Sequence, residues 1–82
     1  MNDQQIRQVL RAHGRLSRDA HTMGSADDLY EAGMTSHASV NVMLGIEDAF
    51  DLEFPDEMLR RATFQSIQAI NAAVESLLQK SA

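Results

Sequence analysis

Residues 28–57 read DLYEAGMTSHASVNVMLGIEDAFDLEFPDE. After a short run of turn-forming residues, apolar side chains recur at helical spacing over about 36–50, which predicts an α-helix. One side of this helix is predicted to face the core, and it carries Ser39, Met43, Ile46 and Phe50, with Val42 on its flank. Gly45 fits no face of this pattern, although glycine inside a helix costs about 1 kcal/mol relative to alanine.

A second side of the same helix carries Val40 and Leu44, roughly 100–140° away from the first. Two interpretations remain open. Either the buried stripe is wide enough to include both residues, or an exposed strip, apolar at its centre and acidic at its rim, docks a partner. The residues of this docking strip are His37, Val40, Leu44, Glu47, Asp48 and Asp51.

The segments before residue 36 predict one helix and one long loop. The helix covers about 3–14, and its face consists of Ile6, Val9, Leu10 and His13, spaced as on one side of a helix. We expect His13 to be a partly buried packing residue. Glycine and small polar residues mark 15–35 as a loop, with room for a short turn of helix around 26–31 and with Leu29, Tyr30 and Met34 as its apolar anchors.

The end of the chain predicts a short helix and a long one. Pro55 and the acidic residues after it suit the start of a helix over about 56–61, with Arg60 and Arg61 near its negative end. Thr63 suits the N-cap of a last helix over 64–79, whose stripe is Ile67, Ile70, Val74, Leu77 and Leu78. The predicted fold is all-α: a four-helix bundle of three longer helices and one short helix, in a single domain over 1–82.

The composition excludes several functional classes. The chain has 82 residues, a formal net charge of −5 and no cysteine, so a disulfide framework and a cysteine zinc site are excluded. Residues 19–59 contain ten acidic residues and no lysine or arginine, which argues against nucleic acid and favours an electropositive partner. No membrane span of ~20 apolar residues or secretory signal is visible. We expect a cytoplasmic, monomeric carrier or binding module without membrane contact or catalytic activity.

Ser36 lies where the long loop meets the helix of 36–50. Free backbone N–H groups and the positive end of the helix dipole meet at that position. Thr35 or Ser36 could cap the helix, or Ser36 could be an attachment point whose phosphate ester the helix N-terminus stabilises. Catalysis by Ser36 is disfavoured, because the side chains of Ser36 and His37 would not face each other. The three histidines lack the spacing of metal ligands, so no metal site is predicted.

The stretch 28–57 resembles the acyl carrier proteins. That family has a glycine-containing loop, a serine, a helix, then Glu-Glu-x-Phe and x-Ile-Pro-Asp. The matching residues here are Gly33, Ser36, Glu47-Asp48-Ala49-Phe50 and Glu53-Phe54-Pro55-Asp56. Chain length, acidity and helix order extend the resemblance to nearly the whole sequence.

The resemblance implies a covalent cofactor on Ser36. A phosphopantetheinyl transferase that uses magnesium would transfer 4′-phosphopantetheine from coenzyme A to the Ser36 hydroxyl. The thiol of the arm would hold an acyl or aminoacyl group as a thioester, which suits a chain that has no cysteine. Thr35 and the docking strip would be the surface that the transferase and the loading enzyme recognise.

The residues around Ser36 indicate the subtype. Ordinary acyl carrier proteins usually have Asp-Ser-Leu where this chain has Thr35-Ser36-His37, and residues 29–36 (LYEAGMTS) are similar to small free-standing aminoacyl carrier proteins. That similarity implies glycine or alanine as cargo and an amino acid:carrier-protein ligase that resembles the catalytic core of seryl-tRNA synthetase. Two alternatives stay open: a carrier for fatty-acid or polyketide chemistry loaded by another enzyme, and a helical adaptor whose Ser36 is never modified.

Overall fold

The computed structural model describes residues 2–81, with side chains through residue 79. It contains three α-helices: α1 (Asp3–His13), α2 (Ser36–Phe50) and α3 (Ile67–Ser81). Two short 3₁₀ turns, Asp56–Met58 and Arg61–Phe64, connect α2 to α3. The all-α prediction is confirmed, whereas the count of four helices is wrong. Within the described range, every helix is too short or too polar to cross a bilayer.

The short helix predicted over 56–61 is replaced by these two 3₁₀ turns. Leu59 has φ −82° and ψ 63°, and Arg60 is extended with φ −124° and ψ 154°, so helical geometry stops between the turns. The N-cap predicted at Thr63 is also wrong, because Thr63 lies inside the second turn. Ser66 takes that role: its Oγ accepts a hydrogen bond from the Ala69 N–H at 3.1 Å, and α3 begins one residue later.

The core lies between the three helices and is closed by the long loop. The faces predicted for α1 and α3 supply Ile6, Leu10, Ile67, Ile70 and Val74, all completely buried. On α2 the buried line is centred on Ala38, Val42 and Ile46, whereas Met43 and Phe50 are only partly buried. The predicted buried face of α2 was therefore wrong by a rotation about the helix axis. The face that is buried lies on the side of α2 that packs against α1.

Gly45 explains this rotation. A Cβ atom at Gly45 would lie 2.8 Å from Cγ1 of Val9 and 3.0 Å from Cδ2 of His13, and real Cβ atoms essentially never make a contact as short as the first. The missing side chain thus allows α1 and α2 to pack closely. His13 is exposed rather than partly buried, although its ring lies beside Gly45.

The segment 15–35 forms turns, and the short turn of helix considered around 26–31 corresponds to a single turn in which the Ala32 N–H donates to the Asp28 carbonyl at 3.1 Å. Arg7 of α1 holds its first half: Nη1 donates to the carbonyl oxygens of Ala20 at 2.7 Å and Met23 at 2.6 Å. The same guanidinium is fixed by Asp3 at 2.7 Å. The Arg7 side chain is only 14% exposed, so these charge-assisted bonds are largely shielded from water, and they satisfy two carbonyl groups of the loop.

The second half of this loop is bound to the start of α3. The Leu29 N–H donates to the Gln65 carbonyl at 2.7 Å, and the Gln68 N–H donates to the Ser25 carbonyl at 2.9 Å. Leu29 and Met34 are buried and Tyr30 packs against the core, which confirms all three as apolar anchors. These contacts therefore fix the position of the loop up to the start of α2.

Candidate functional site

Thr35 and Ser36 have different roles at the beginning of α2. Thr35 is the N-cap, with φ −81° and ψ 167°, and its Oγ1 accepts a hydrogen bond from the Ala38 N–H at 3.0 Å. Ser36 is the first helical residue and is exposed. Its hydroxyl makes no hydrogen bond within the part of the chain that the structure describes. The capping role thus belongs to Thr35, which leaves the Ser36 hydroxyl available for modification.

The electrostatic setting of Ser36 suits an anion. The first turn of α2 contains no acidic residue, so no carboxylate side chain there competes for the positive end of the helix dipole. Backbone N–H groups at a helix start stabilise a phosphate group in the same way. A phosphate ester on the Ser36 hydroxyl therefore fits the residues present.

An open groove of about 380 Å³ begins at Ser36 and runs between α2 and the 3₁₀ turns. The α2 side contributes Ser39, Val40 and Met43. The other side is formed by residues from the loop and from the two turns, namely Tyr30, Leu59, Arg60, Arg61 and Phe64. An extended group attached to Ser36 would have this mainly apolar surface beside it.

The second side of α2 is exposed, so Val40 and Leu44 do not belong to a wide buried stripe. Val40 is 50% and Leu44 is 52% exposed. Their acidic and basic neighbours His37, Asp48 and Asp51 are exposed as well. Since positions three and four apart are neighbours on a helix surface, the structure brings the docking strip together on one face.

Glu47 differs from the other members of the docking strip, because it also has a structural role. Its Oε2 accepts a hydrogen bond from the Phe54 N–H at 2.9 Å, and the residue is partly buried. Its backbone carbonyl accepts from the N–H groups of Asp51 and Leu52 at the end of α2. Asp51 itself has φ 52°, so the strip ends where the helix ends.

The sequence did not reveal that Arg60 and Arg61 belong to the surroundings of Ser36. They were expected near the negative end of a short helix, but residues 56–61 form no α-helix. Both arginines instead line the groove. Their position in a chain that has no other lysine or arginine between residues 19 and 79 is the signal that could have directed attention to them.

The family described as phosphopantetheine attachment site matches residues 4–74. This chain belongs to that family, which confirms the resemblance seen in residues 28–57. Among its relatives is the aminoacyl carrier protein of Agrobacterium fabrum, 49% identical over 73 residues that cover 89% of this chain and 88% of the relative. Aminoacyl carrier protein 1 of Bradyrhizobium diazoefficiens is 37% identical over 51 residues, or 62% of this chain and 57% of that protein.

Solved structures give the same result for the fold. One chain in the crystal structure of an engineered Bradyrhizobium japonicum glycine:[carrier protein] ligase with ATP and a carrier protein from Agrobacterium tumefaciens superposes with a TM-score of 0.90 at 45% identity, covering 94% of this chain and 100% of that one. A chain in the Bradyrhizobium japonicum ligase complex with glycylated carrier protein gives a TM-score of 0.75 at 26% identity, covering 88% and 96%. The fold is therefore that of the carrier proteins in these ligase complexes.

Proposed function

We propose that this protein carries an aminoacyl group as a thioester on 4′-phosphopantetheine attached to Ser36. The observation that carries the proposal is that the Ser36 hydroxyl is exposed, while Thr35 caps the helix. Membership of the phosphopantetheine attachment site family supports it. The protein itself catalyses nothing in this scheme.

Attachment uses the Ser36 hydroxyl as the accepting group. Its Oγ forms a bond to the phosphorus of coenzyme A next to the pantetheine and its proton passes to water, while the bridging P–O bond from that phosphorus breaks and the nucleotide part leaves as adenosine 3′,5′-bisphosphate. The bound group supplies the thiol that this cysteine-free chain lacks. The start of α2 contributes N–H groups and the helix dipole, which stabilise the new phosphodiester.

Glycine is the cargo that we propose first, with alanine second. Complexes of glycine:[carrier protein] ligase with related carriers support this choice, as do the aminoacyl carrier relatives. The loading partner would accordingly be an amino acid:carrier-protein ligase that resembles seryl-tRNA synthetase, and a phosphopantetheinyl transferase would act before it.

The docking strip is the surface that we propose for these partners. The exposed pair Val40 and Leu44 offers apolar contact area, and the surrounding acids select an electropositive enzyme surface and speed its approach. Thr35 and His37 lie at the end of the strip next to Ser36. A partner bound there would have the root of the arm within reach.

Intact mass spectrometry tests the attachment. The purified chain, Ser36→Ala and Ser39→Ala are each incubated with coenzyme A, Mg²⁺ and a phosphopantetheinyl transferase of broad specificity. Ser39 is the matched control, because it is a second serine one turn later on the same groove. We expect one phosphopantetheinyl group on the wild type and on Ser39→Ala, and none on Ser36→Ala. An unmodified wild type would contradict the proposal and favour the adaptor alternative.

The cargo is tested on the same modified protein. It is incubated with ATP, single amino acids and a glycine:[carrier protein] ligase, and the mass and the hydroxylamine sensitivity of the product are measured. We expect a hydroxylamine-sensitive gain in mass with glycine, and a smaller loaded fraction with alanine. Loading by fatty acyl or malonyl groups with their own transferases, but by no amino acid, would favour the acyl carrier alternative.

A further inference from the structure

Arg60 and Arg61 are two positive charges in the middle of a chain that is acidic overall. They are the only lysine or arginine residues between positions 19 and 79, and both line the groove that begins at Ser36. No carboxylate of residues 2–79 lines the same groove. Among the residues with described side chains, neither guanidinium is within ion-pair distance of an acid. Two uncompensated positive charges therefore face the space next to a serine that sits at the positive end of a helix.

The position of the Arg61 guanidinium is fixed by Tyr30. The guanidinium carbon lies 3.9 Å from the centroid of the Tyr30 ring, a distance at which cation–π attraction operates. The Tyr30 hydroxyl also donates a hydrogen bond to the Arg61 carbonyl oxygen at 3.2 Å. The tyrosine thus holds both the backbone and the side chain of Arg61.

This arrangement prepares Arg61 to bind a phosphate group. A guanidinium stacked on an aromatic ring keeps N–H donors at its edge, and their planar fork matches the oxygens of a phosphate. Prior ordering of the side chain lowers the entropy that binding would otherwise cost.

We propose that Arg61, assisted by Arg60, binds the phosphodiester of an arm attached to Ser36 and draws the root of the arm onto the groove. This inference rests on the proposed function, because it needs a phosphodiester at Ser36. The two arginines are positioning residues: they set the direction in which the arm leaves α2. The charges are complementary, since two guanidinium cations meet the single anion that attachment introduces.

Nuclear magnetic resonance of the unmodified and the modified protein tests the inference. ¹⁵N-labelled chain is recorded before and after modification, with the mass gain verified, and the arginine Nε–Hε signals and the ³¹P signal are followed. We expect modification to shift the Arg61 Nε–Hε signal and, less strongly, that of Arg60. At 1 M salt, where the Debye length falls to about 3 Å, the shift should decrease.

Variants identify the residue responsible. Arg61→Gln and Arg60→Gln should change the ³¹P shift of the modified protein, whereas Arg11→Gln, which removes the same charge from an exposed position on α1, should not. Tyr30→Leu keeps the charge of Arg61 but removes its platform, and it should reduce the shift of the Arg61 signal. Both groove arginines are exposed, so their replacement leaves the core intact.

The outcomes separate this inference from the function on which it rests. A mass gain with unchanged Arg60 and Arg61 signals would overturn the inference and leave the proposed function standing. An equal ³¹P change in Arg11→Gln would also overturn it, because it would reflect net charge rather than contact. No mass gain at all would overturn both proposals together.

Discussion

At the scale of single residues, the helix boundary at 35–36 separates a structural hydroxyl from a free one. Thr35 satisfies an N–H group of the first turn through its Oγ1, whereas the Ser36 hydroxyl has no such bond within residues 2–81. Either residue could have capped the helix by its chemistry alone. The extended backbone of Thr35 decides the matter, because only a residue just outside the helix can direct its side chain back to the N–H groups.

This separation predicts effects of different size for two neighbouring substitutions. Thr35→Ala should lower the free energy of unfolding by about 1 kcal/mol, the usual cost of losing an N-cap. Ser36→Ala should change it by less than about 0.5 kcal/mol, as exposed substitutions usually do. Urea denaturation of the unmodified variants measures both, and Thr35→Ser, which keeps the capping oxygen, should retain most of the stability. Equal losses in Thr35→Ala and Ser36→Ala would show that Ser36 shares the capping role.

At the scale of elements, the contact between α1 and α2 depends on a residue without a side chain. Gly45 lies against Val9 and His13, although glycine weakens the helix that contains it. Val9 is β-branched and has essentially one favourable χ1 rotamer in a helix, so it cannot easily make room. Gly45 lowers the helix propensity of α2, but it allows α1 and α2 to pack more closely.

Gly45→Ala should therefore destabilise the protein despite its better helix propensity. The gain in propensity is about 1 kcal/mol and overpacking usually costs about 1–3 kcal/mol, so we expect a net loss of about 1 kcal/mol in urea denaturation. In a Val9→Ala background the shortest contact is removed and the exposed His13 ring, 3.0 Å away, can move aside, so the same substitution should become stabilising. A gain of equal size in both backgrounds would disprove the steric explanation.

The sequence predicted the elements whose signals are local. The boundaries of α1 and α2 followed from apolar spacing and from residues that end or begin helices, and Leu29, Tyr30 and Met34 were correct as anchors of the loop. The residues of the docking strip lie on one face of α2, where all but the partly buried Glu47 are exposed, since a helix fixes the relative directions of its side chains; their role in docking stays a prediction.

The errors came from contacts between residues far apart in the chain. The close approach of α1 at Gly45 turned the buried line of α2, and no feature of 36–50 alone shows which side a neighbour covers. The segment 56–66 contains several residues suited to cap or begin a helix, so Thr63 could not be distinguished from Ser66. The bonds from Arg7 to Ala20 and Met23 have no local signature at all.

At the scale of the whole molecule, the acidic stretch of 19–59 is almost without compensating charge. Of its ten acids, only Asp27 is within ion-pair distance of a lysine or arginine in the described side chains, at 3.2 Å from Arg18. That pair is exposed, and exposed pairs contribute little to stability. The N-terminal arginines therefore leave most of the negative charge unpaired, and its self-repulsion opposes folding.

Salt should accordingly stabilise the protein. Between 0.01 M and 0.15 M NaCl the Debye length falls from about 30 Å to about 8 Å, and we expect the melting temperature at pH 7 to rise when followed by circular dichroism. Asp48→Asn, which removes one exposed charge from α2, should raise the melting temperature in low salt and weaken the response to NaCl. A melting temperature that stays constant or falls with salt would show that the acids are not repelling one another.

Two backbone hydrogen bonds join the long loop to Gln65 and Gln68. The conformation of the loop that leads to Ser36 therefore depends on the second half of the chain. A peptide that stopped before Gln65 would still contain the whole stretch 28–57, but the Leu29 N–H would lose the carbonyl to which it donates. Short fragments cut around the serine are therefore poor substitutes for the entire protein.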